Sequence, residues 1–363
     1  MSASVPVDAF AGALLAWFDR HGRHDLPWQH PRDTYRVWLS EVMLQQTQVR
    51  TVIPYFERFV AALPDLAALA AAPLDAVLAL WSGLGYYSRA RNLHRCARLC
   101  IERHGGQLPR DIDALSALPG IGRSTAAAIL AQVHGDRHAI LDGNVRRVLA
   151  RFHGVIGWPG SAAVQKRLWE LADAHTPAAR TADYTQAIMD LGATVCTRAK
   201  PRCEACPLVH GCVALRDGLV ASLPTPKPAR AIPERTTTML VVHDDSGRVL
   251  LERRPPTGVW AGLWSLPECF DISVIEAELA RRHARSIGAR RHLPELRHAF
   301  SHYRLRISPV CLSATAVAPA IGDGDTLRWA TPTQLGGIGL PAPVRKLLES
   351  LAEEVPPCEP CTA

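Results

Sequence analysis

No stretch of this 363-residue chain approaches the ~18 consecutive apolar residues that carry a helix across a bilayer. The opening MSASVPVDAFAGALLAWFDR has no basic start and carries Asp8 and Asp19, so it reads as an amphipathic helix rather than a secretory leader. Without a leader, the ten cysteines are expected in a reducing compartment, where thiols serve metals or cores more often than disulfides. No internal repeat is visible. Residues 236–363 have no surplus charge, with 14 basic and 14 acidic side chains. The net charge of +7 therefore comes from the first 235 residues, which hold 27 basic against 20 acidic. A basic region beside a neutral one points to a polyanionic partner, most simply nucleic acid.

What is present begins with hydrophobic residues at 48% and charged ones at 21%, the balance of a globular chain long enough for two domains. Residues 1–221 read as mostly helical, as in LDAVLALWSGL and RSTAAAILAQVH. SLPTPKPARAIPERT has four prolines and no apolar period, which sets an interdomain linker over 222–235. Beyond it TTTMLVVH, DDSG and RVLLERR read as a hairpin. A helix (VIEAELARRHA), strands around RHAFSHYRLRI and a last helix near VRKLLESLAEE complete a second domain over 236–352. Residues 353–363 read as a disordered tail, and Cys358 and Cys361 within it as incidental. The fold class expected is an all-α domain followed by an α+β domain.

Cys196, Cys203, Cys206 and Cys212 stand as C-x6-C-x2-C-x5-C. Four thiolates on one short loop define a closed metal or iron–sulfur site, and spacing alone does not separate zinc from a [4Fe–4S] cluster. Arg198, Lys200 and Arg202 lie inside that loop and would offset its negative charge. LPGIG at 118–122 sits between two helical segments. Gly120 and Gly122 suit a tight turn whose free N–H groups meet the positive end of the next helix dipole, an anion site to which Arg123 adds a cation. Glu41, Gln45 and Gln48 recur at i, i+4 and i+7 in VWLSEVMLQQTQV, which predicts one shared helix face with Trp38 and Val42 packed inward. Asp142, at the start of DGNVRRVLAR, suits a helix N-cap.

LPGIGRSTAAAIL, ILDGNVRRVLAR and the cysteine spacing together resemble the helix-hairpin-helix base-excision DNA glycosylases related to endonuclease III. VWLSEVMLQQTQV, WSGLGYYSRARNLH and the C-terminal domain resemble, more narrowly, adenine DNA glycosylases of the MutY type, over nearly the whole chain. The resemblance implies a helical glycosylase domain with its hairpin at about 112–134 and a [4Fe–4S] loop at 196–212, then a Nudix-like domain. It implies a monomer acting on double-stranded DNA that holds adenine opposite 8-oxoguanine or guanine and, in a bacterium, a cytoplasmic, nucleoid-associated enzyme. Glu41 becomes the acid that protonates adenine, which needs a raised pKa, and Asp142 the carboxylate that steadies the sugar cation, by charge or by a transient bond. Asn144 orients water or Asp142.

Ser124 stands where the strand-cutting relatives have a Schiff-base lysine, which implies a monofunctional glycosylase; the alternative is a glycosylase/lyase of the endonuclease III kind. Tyr86 matches the intercalating tyrosine while Tyr87 packs, and Gln45, Gln46 and Thr47 match contacts to base edges and the opposite strand. Phe300, Ser301 and His302 match the loop that reads 8-oxoguanine. The acidic metal-binding run of catalytic Nudix domains is absent from VIEAELARRHARSIG, so that scaffold is expected to recognise rather than hydrolyse.

Overall fold

The computed structural model describes residues 7–228, 231–282, 284–300, 302–316 and 326–354. The chain folds as two units, 1–71 with 92–229, and 72–91 with 230–363. Residues 72–91, expected in the helical domain, thus fall with the C-terminal unit.

The first unit contains α1 (Val7–His21), α2 (Thr34–Leu44), α3 (Val49–Ala62) and α4 (Leu66–Ala71). The second takes α5 (Leu74–Leu80), and the chain returns to the first within α6 (Ser88–Arg103). There follow α7 (Ile112–Ser116), α8 (Arg123–His134), α9 (Gly143–Phe152), α10 (Ala162–His175), α11 (Thr181–Asp190) and α12 (Val213–Arg216). Aspartates start three of these helices: Asp33, Asp111 and Asp142 accept N–H bonds from the first turns of α2, α7 and α9. Gly135, left-handed at φ 71°, closes α8. The buried alanines Ala126–Ala128 and Ala131 let α8 pack against α2, α7 and α11 at once. Phe10, Leu14, Leu149, Phe152, Leu168 and Ile188 fill the core between α1, α9, α10 and α11.

Glu41 and Gln45 do not continue on one helix to Gln48. α2 ends at Leu44, Gln46 adopts φ 60° and Gln48 starts α3. The expected linker is also partly anchored: the carbonyl of Leu223 accepts from Arg151 Nε at 2.8 Å, and Thr225 Oγ1 from Gly157 N at 3.0 Å.

In the second unit β1 (Glu234–His243) and β2 (Val249–Arg253) form the expected antiparallel hairpin. β3 (Trp264–Ser265) and β4 (Glu268–Cys269) follow, then α13 (Ile275–Ala280). β5 (Ala284–His292), β6 (Leu296–Ala299), β7 (Arg304–Ala316), β8 (Leu327–Ala330) and α14 (Ala342–Glu354) complete it. α13 is shorter than VIEAELARRHA suggests, since β5 begins at Ala284 and claims its end. The sheet order is β3-β2-β1-β7-β5, with β1 parallel to β7 from Glu234↔Arg304 to His243↔Ser313. Leu240, Val242, Leu250, Val310 and Leu312 make its core with Ile275 and Leu279 of α13. α14 runs into the segment read as tail; Cys358 and Cys361 lie outside the described residues. Among the described residues no helix is long and apolar enough to cross a membrane.

Candidate functional site

One cavity of about 880 Å³ opens in the first unit, and Glu41, Asp142, Asn144 and Ser124 line it. That volume lies in the range of small-molecule sites. Gln45, Gln46, Thr47 and Gln48 line the same cavity. They reach it because the turn after α2 folds the chain back, and Gln45 Nε2 lies 3.4 Å from both Gly120 O and Thr125 Oγ1.

Glu41 is set by α2, which also buries Trp38, Val42 and Met43. Gln132 of α8, itself buried, donates from Nε2 to Glu41 Oε1 at 2.8 Å. Burial pushes Glu41 up to about 7, the Gln132 bond opposes that rise, and the charge of Asp142 adds to it. Asp142 is held differently. As the N-cap of α9 it accepts from Val145 N at 2.8 Å on Oδ1, and from Asn144 Nδ2 at 3.0 Å on Oδ2. Burial raises its carboxyl above the ordinary aspartate value, against the pull of these two donors and of the Arg147 guanidinium. Two neighbouring carboxyls therefore have unlike surroundings, one facing an amide and the other bonded twice and close to a cation.

Arg147 belongs to the site, and sequence reading missed it. Its Nη2 donates to Asn144 Oδ1 at 2.8 Å and to Gly192 O at 2.6 Å, and its Nε to Cys196 O at 2.6 Å. One guanidinium thus connects the partner of Asp142 to the first cysteine. A π-helical turn, Leu191–Val195, carries the chain from α11 to Cys196. A Cβ on its Gly192 would stand 2.5 Å from Asn144 Cβ, so the close approach requires glycine.

The hairpin 118–122 joins α7 to α8. Gly120 has φ 80°, and a Cβ there would meet Asn92 Cβ at 2.9 Å. Gly122 is a correction: its φ of −95° with ψ 170° is extended backbone open to any residue. Arg123 stacks on the Trp169 ring at 4.0 Å rather than standing apart as a cation. Ser124 Oγ accepts from Leu141 N at 2.9 Å, which ties the start of α8 to the strand of chain leading into Asp142.

All four cysteines line a second cavity, walled by Val195, Val209 and Leu215. Among the described residues, no group of three or more His, Cys, Asp or Glu side chains is drawn together as a ready metal cage. The donor set still fits a soft cofactor. Burial raises Cys206 to about 11 and holds Cys203 and Cys212 above the ordinary thiol value, with neighbouring sulfurs adding to the rise. Four thiolates there require positive charge between them. A cation from outside the loop reaches a sulfur: Arg151 Nη1 lies 3.4 Å from Cys196 Sγ and 2.7 Å from Thr197 O. Arg202 instead donates to Thr194 O at 2.9 Å.

In the second unit Tyr86 is 49% exposed at φ 48°, whereas Tyr87 is buried. Phe300 packs on Trp260 (5.2 Å), His298 (4.5 Å) and Tyr303 (4.7 Å), and His302 lies 4.8 Å from Tyr303. Phe300 N bonds to Tyr303 O at 2.9 Å, next to the last β6–β7 pair, Ala299 with Arg304. Ser301 lies outside the described residues. Glu252 and Glu278 both pair with Arg282, and Glu276 with Arg290.

A hairpin–helix pair beside a two-carboxyl cavity, a four-cysteine loop and a mixed-sheet second unit define a base-excision DNA glycosylase with a Nudix-type domain. Residues 39–174 match the HhH-GPD superfamily of base excision DNA repair proteins, and residues 237–350 match the NUDIX domain. The adenine DNA glycosylase of Buchnera aphidicola from Schizaphis graminum is 35% identical over 346 residues, covering 95% of this chain and 99% of that one. The human adenine DNA glycosylase is 35% identical over 403 residues, covering 94% and 73%. A thermostable thymine-DNA glycosylase superposes with TM-score 0.53 at 29% identity over 58% of this chain and 97% of that one. Endonuclease III in a non-covalent DNA complex shares the fold, at TM-score 0.50 and 22% identity over 60% and 99%. The chain belongs to the adenine DNA glycosylases, enzymes that hydrolyse N-glycosyl bonds.

Proposed function

We propose that this glycosylase removes adenine lying opposite 8-oxoguanine or guanine in duplex DNA, and that Glu41 and Asp142 divide the chemistry. Excision requires a proton on the leaving purine and a negative charge beside the oxocarbenium-like sugar. Gln132 occupies Oε1 of Glu41. The other oxygen is then left to carry a proton to N7 of an adenine extruded into the cavity. A carboxyl near 7 is protonated in part at neutral pH and still gives its proton up readily. Asp142 is the carboxylate that steadies the sugar; two donors and Arg147 favour its anion against the burial that raises it, and Asn144 fixes its orientation. The observation that carries this reading is the contrast in partners between two carboxyls on one cavity.

Ser124 supports hydrolysis without strand cutting, because its hydroxyl is engaged with Leu141 N–H and offers no amine for a Schiff base. Gln45, Gln46 and Thr47 contact base edges and the opposite strand, Gly120, Gly122 and Arg123 the backbone, Tyr86 wedges beside the lesion, and Phe300, Ser301 and His302 read the opposite base. Cys196, Cys203, Cys206 and Cys212 would hold a [4Fe–4S] cluster, which when bound supplies a covalent cross-link across 196–212.

Duplexes with A opposite 8-oxoguanine, G or T, treated with enzyme and then alkali, test the reading. Cleavage of the adenine strand only after alkali, and only in the first two, is expected. Cleavage without alkali, or an adduct trapped by borohydride in high yield, would make the enzyme a lyase. Iron and sulfide at about four atoms each per chain would identify the cluster; zinc in their place would overturn that assignment.

A further inference from the structure

The helical sequence 72–91 packs as part of the C-terminal unit, and its bonds there are specific. Asp75 pairs with Arg253 and accepts from Trp264 Nε1 at 3.4 Å. Ser82 Oγ and Tyr87 Oη both donate to Leu340 O, at 3.3 and 3.0 Å, and Arg345 Nε reaches Ser82 Oγ at 3.2 Å. Arg91 Nη1 donates to Ala261 O at 2.6 Å.

These bonds hold a strained turn. Tyr86 has a left-handed backbone that bulky residues rarely adopt, and its ring is half exposed. Arg89, 6% exposed, lies between the rings of Trp81 and Tyr86 at 5.3 and 5.5 Å and donates to the carbonyls of Leu84 and Gly85. Tyr87 Oη accepts from Gly83 N at 3.2 Å while donating to Leu340 O, so one hydroxyl spans the turn and the C-terminal unit. The other anchor, Ala261, follows Trp260, which is itself left-handed at φ 56° and supports Phe300 from below. Arg91 thus bonds the residue next to Trp260, on which Phe300 packs.

We infer that Tyr87 and Arg91 are positioning residues that bind the Tyr86 turn and Phe300 into one preset body. Duplex DNA would meet wedge and reading loop at a fixed spacing, and the choice of base opposite adenine would depend on it. This rests on the reading of Tyr86 and Phe300 as DNA contacts given above. The test is the full-length double variant Tyr87→Phe/Arg91→Met. Removing these three hydrogen bonds, two at Tyr87 Oη and one at Arg91, is expected to cut the single-turnover rate ratio, A opposite 8-oxoguanine over A opposite G, by about tenfold. The A opposite G rate should stay within about threefold. Amide exchange at residues 83–86 should quicken, a readout independent of catalysis. An unchanged ratio with unchanged exchange, or two rates falling in parallel, would overturn the inference. Tyr86→Ala and Phe300→Ala serve as references. If they shift the ratio and the double variant does not, the contact reading stands and the positioning role fails; if neither shifts it, both fail together.

Discussion

Glu41 binds most of the function to a single proton. Its carboxyl must be protonated to serve as an acid, so single-turnover excision is expected to fall as pH climbs through about 7. Glu41→Gln should cost ~10²–10⁴-fold. The same shift carries a stability cost. The folded value near 7 exceeds the unfolded value of about 4.3, so the fold binds the extra proton between them and loses stability as pH rises across that window. Glu41→Gln should therefore melt higher than wild type at pH 8, by on the order of 1–3 kcal/mol, and equally at pH 4. Gln132→Leu removes the bond that lowers the Glu41 value, so the alkaline limb of the rate profile should move to higher pH while the rate drops about tenfold. Glu41 was legible because a carboxylate inside LSEVMLQQTQV stands out among apolar and amide neighbours. Gln132 was not. An amide in AAAILAQVH has no signature until the fold turns it toward a residue 91 positions away.

Among the elements, α9 does more than its sequence suggests. DGNVRRVLARF reads as a capped amphipathic helix, and Asp142 does cap it. Yet Arg147 and Arg151 hold the cysteine loop by its carbonyls, which no helical period foretells. The π-turn opposite is sized to this contact. Gly192→Ala should push Asn144 off Asp142, lowering excision by at least tenfold while gel-shift affinity for duplex DNA holds within about threefold. Loss of affinity in step with rate would mean that the loop, rather than Asn144, had moved. α2 shows the opposite limit. LQQTQV has ordinary helix formers, so nothing local announces a stop at Leu44; the left-handed Gln46 sits in a turn closed by Thr47 N to Leu44 O at 3.2 Å, and that turn delivers four polar side chains to the cavity.

For the whole molecule, the excess of basic residues before residue 236 is the feature most open to test. If six to ten phosphates are neutralised, duplex affinity should fall by about 10³–10⁵ between 50 and 200 mM salt, and a log–log plot from fluorescence anisotropy should be linear. A flat plot would remove the polyanion argument. Taken alone, the sequence determined the chemical inventory and its local order: a glycine hairpin before an alanine-rich helix, four thiols within 17 residues, a carboxyl in each of two helical segments, and a switch from helical period to short apolar runs around turn residues after the prolines. Spacing along one segment is sufficient for these, because helices, turns and loops are set by near neighbours. Tertiary structure alone decided that Glu41 is raised and Asp142 doubly bonded, that Arg151 meets Cys196, and that 72–91 joins the C-terminal unit. A proton's affinity and a side chain's partner depend on groups distant in sequence, and only folding brings those groups within reach.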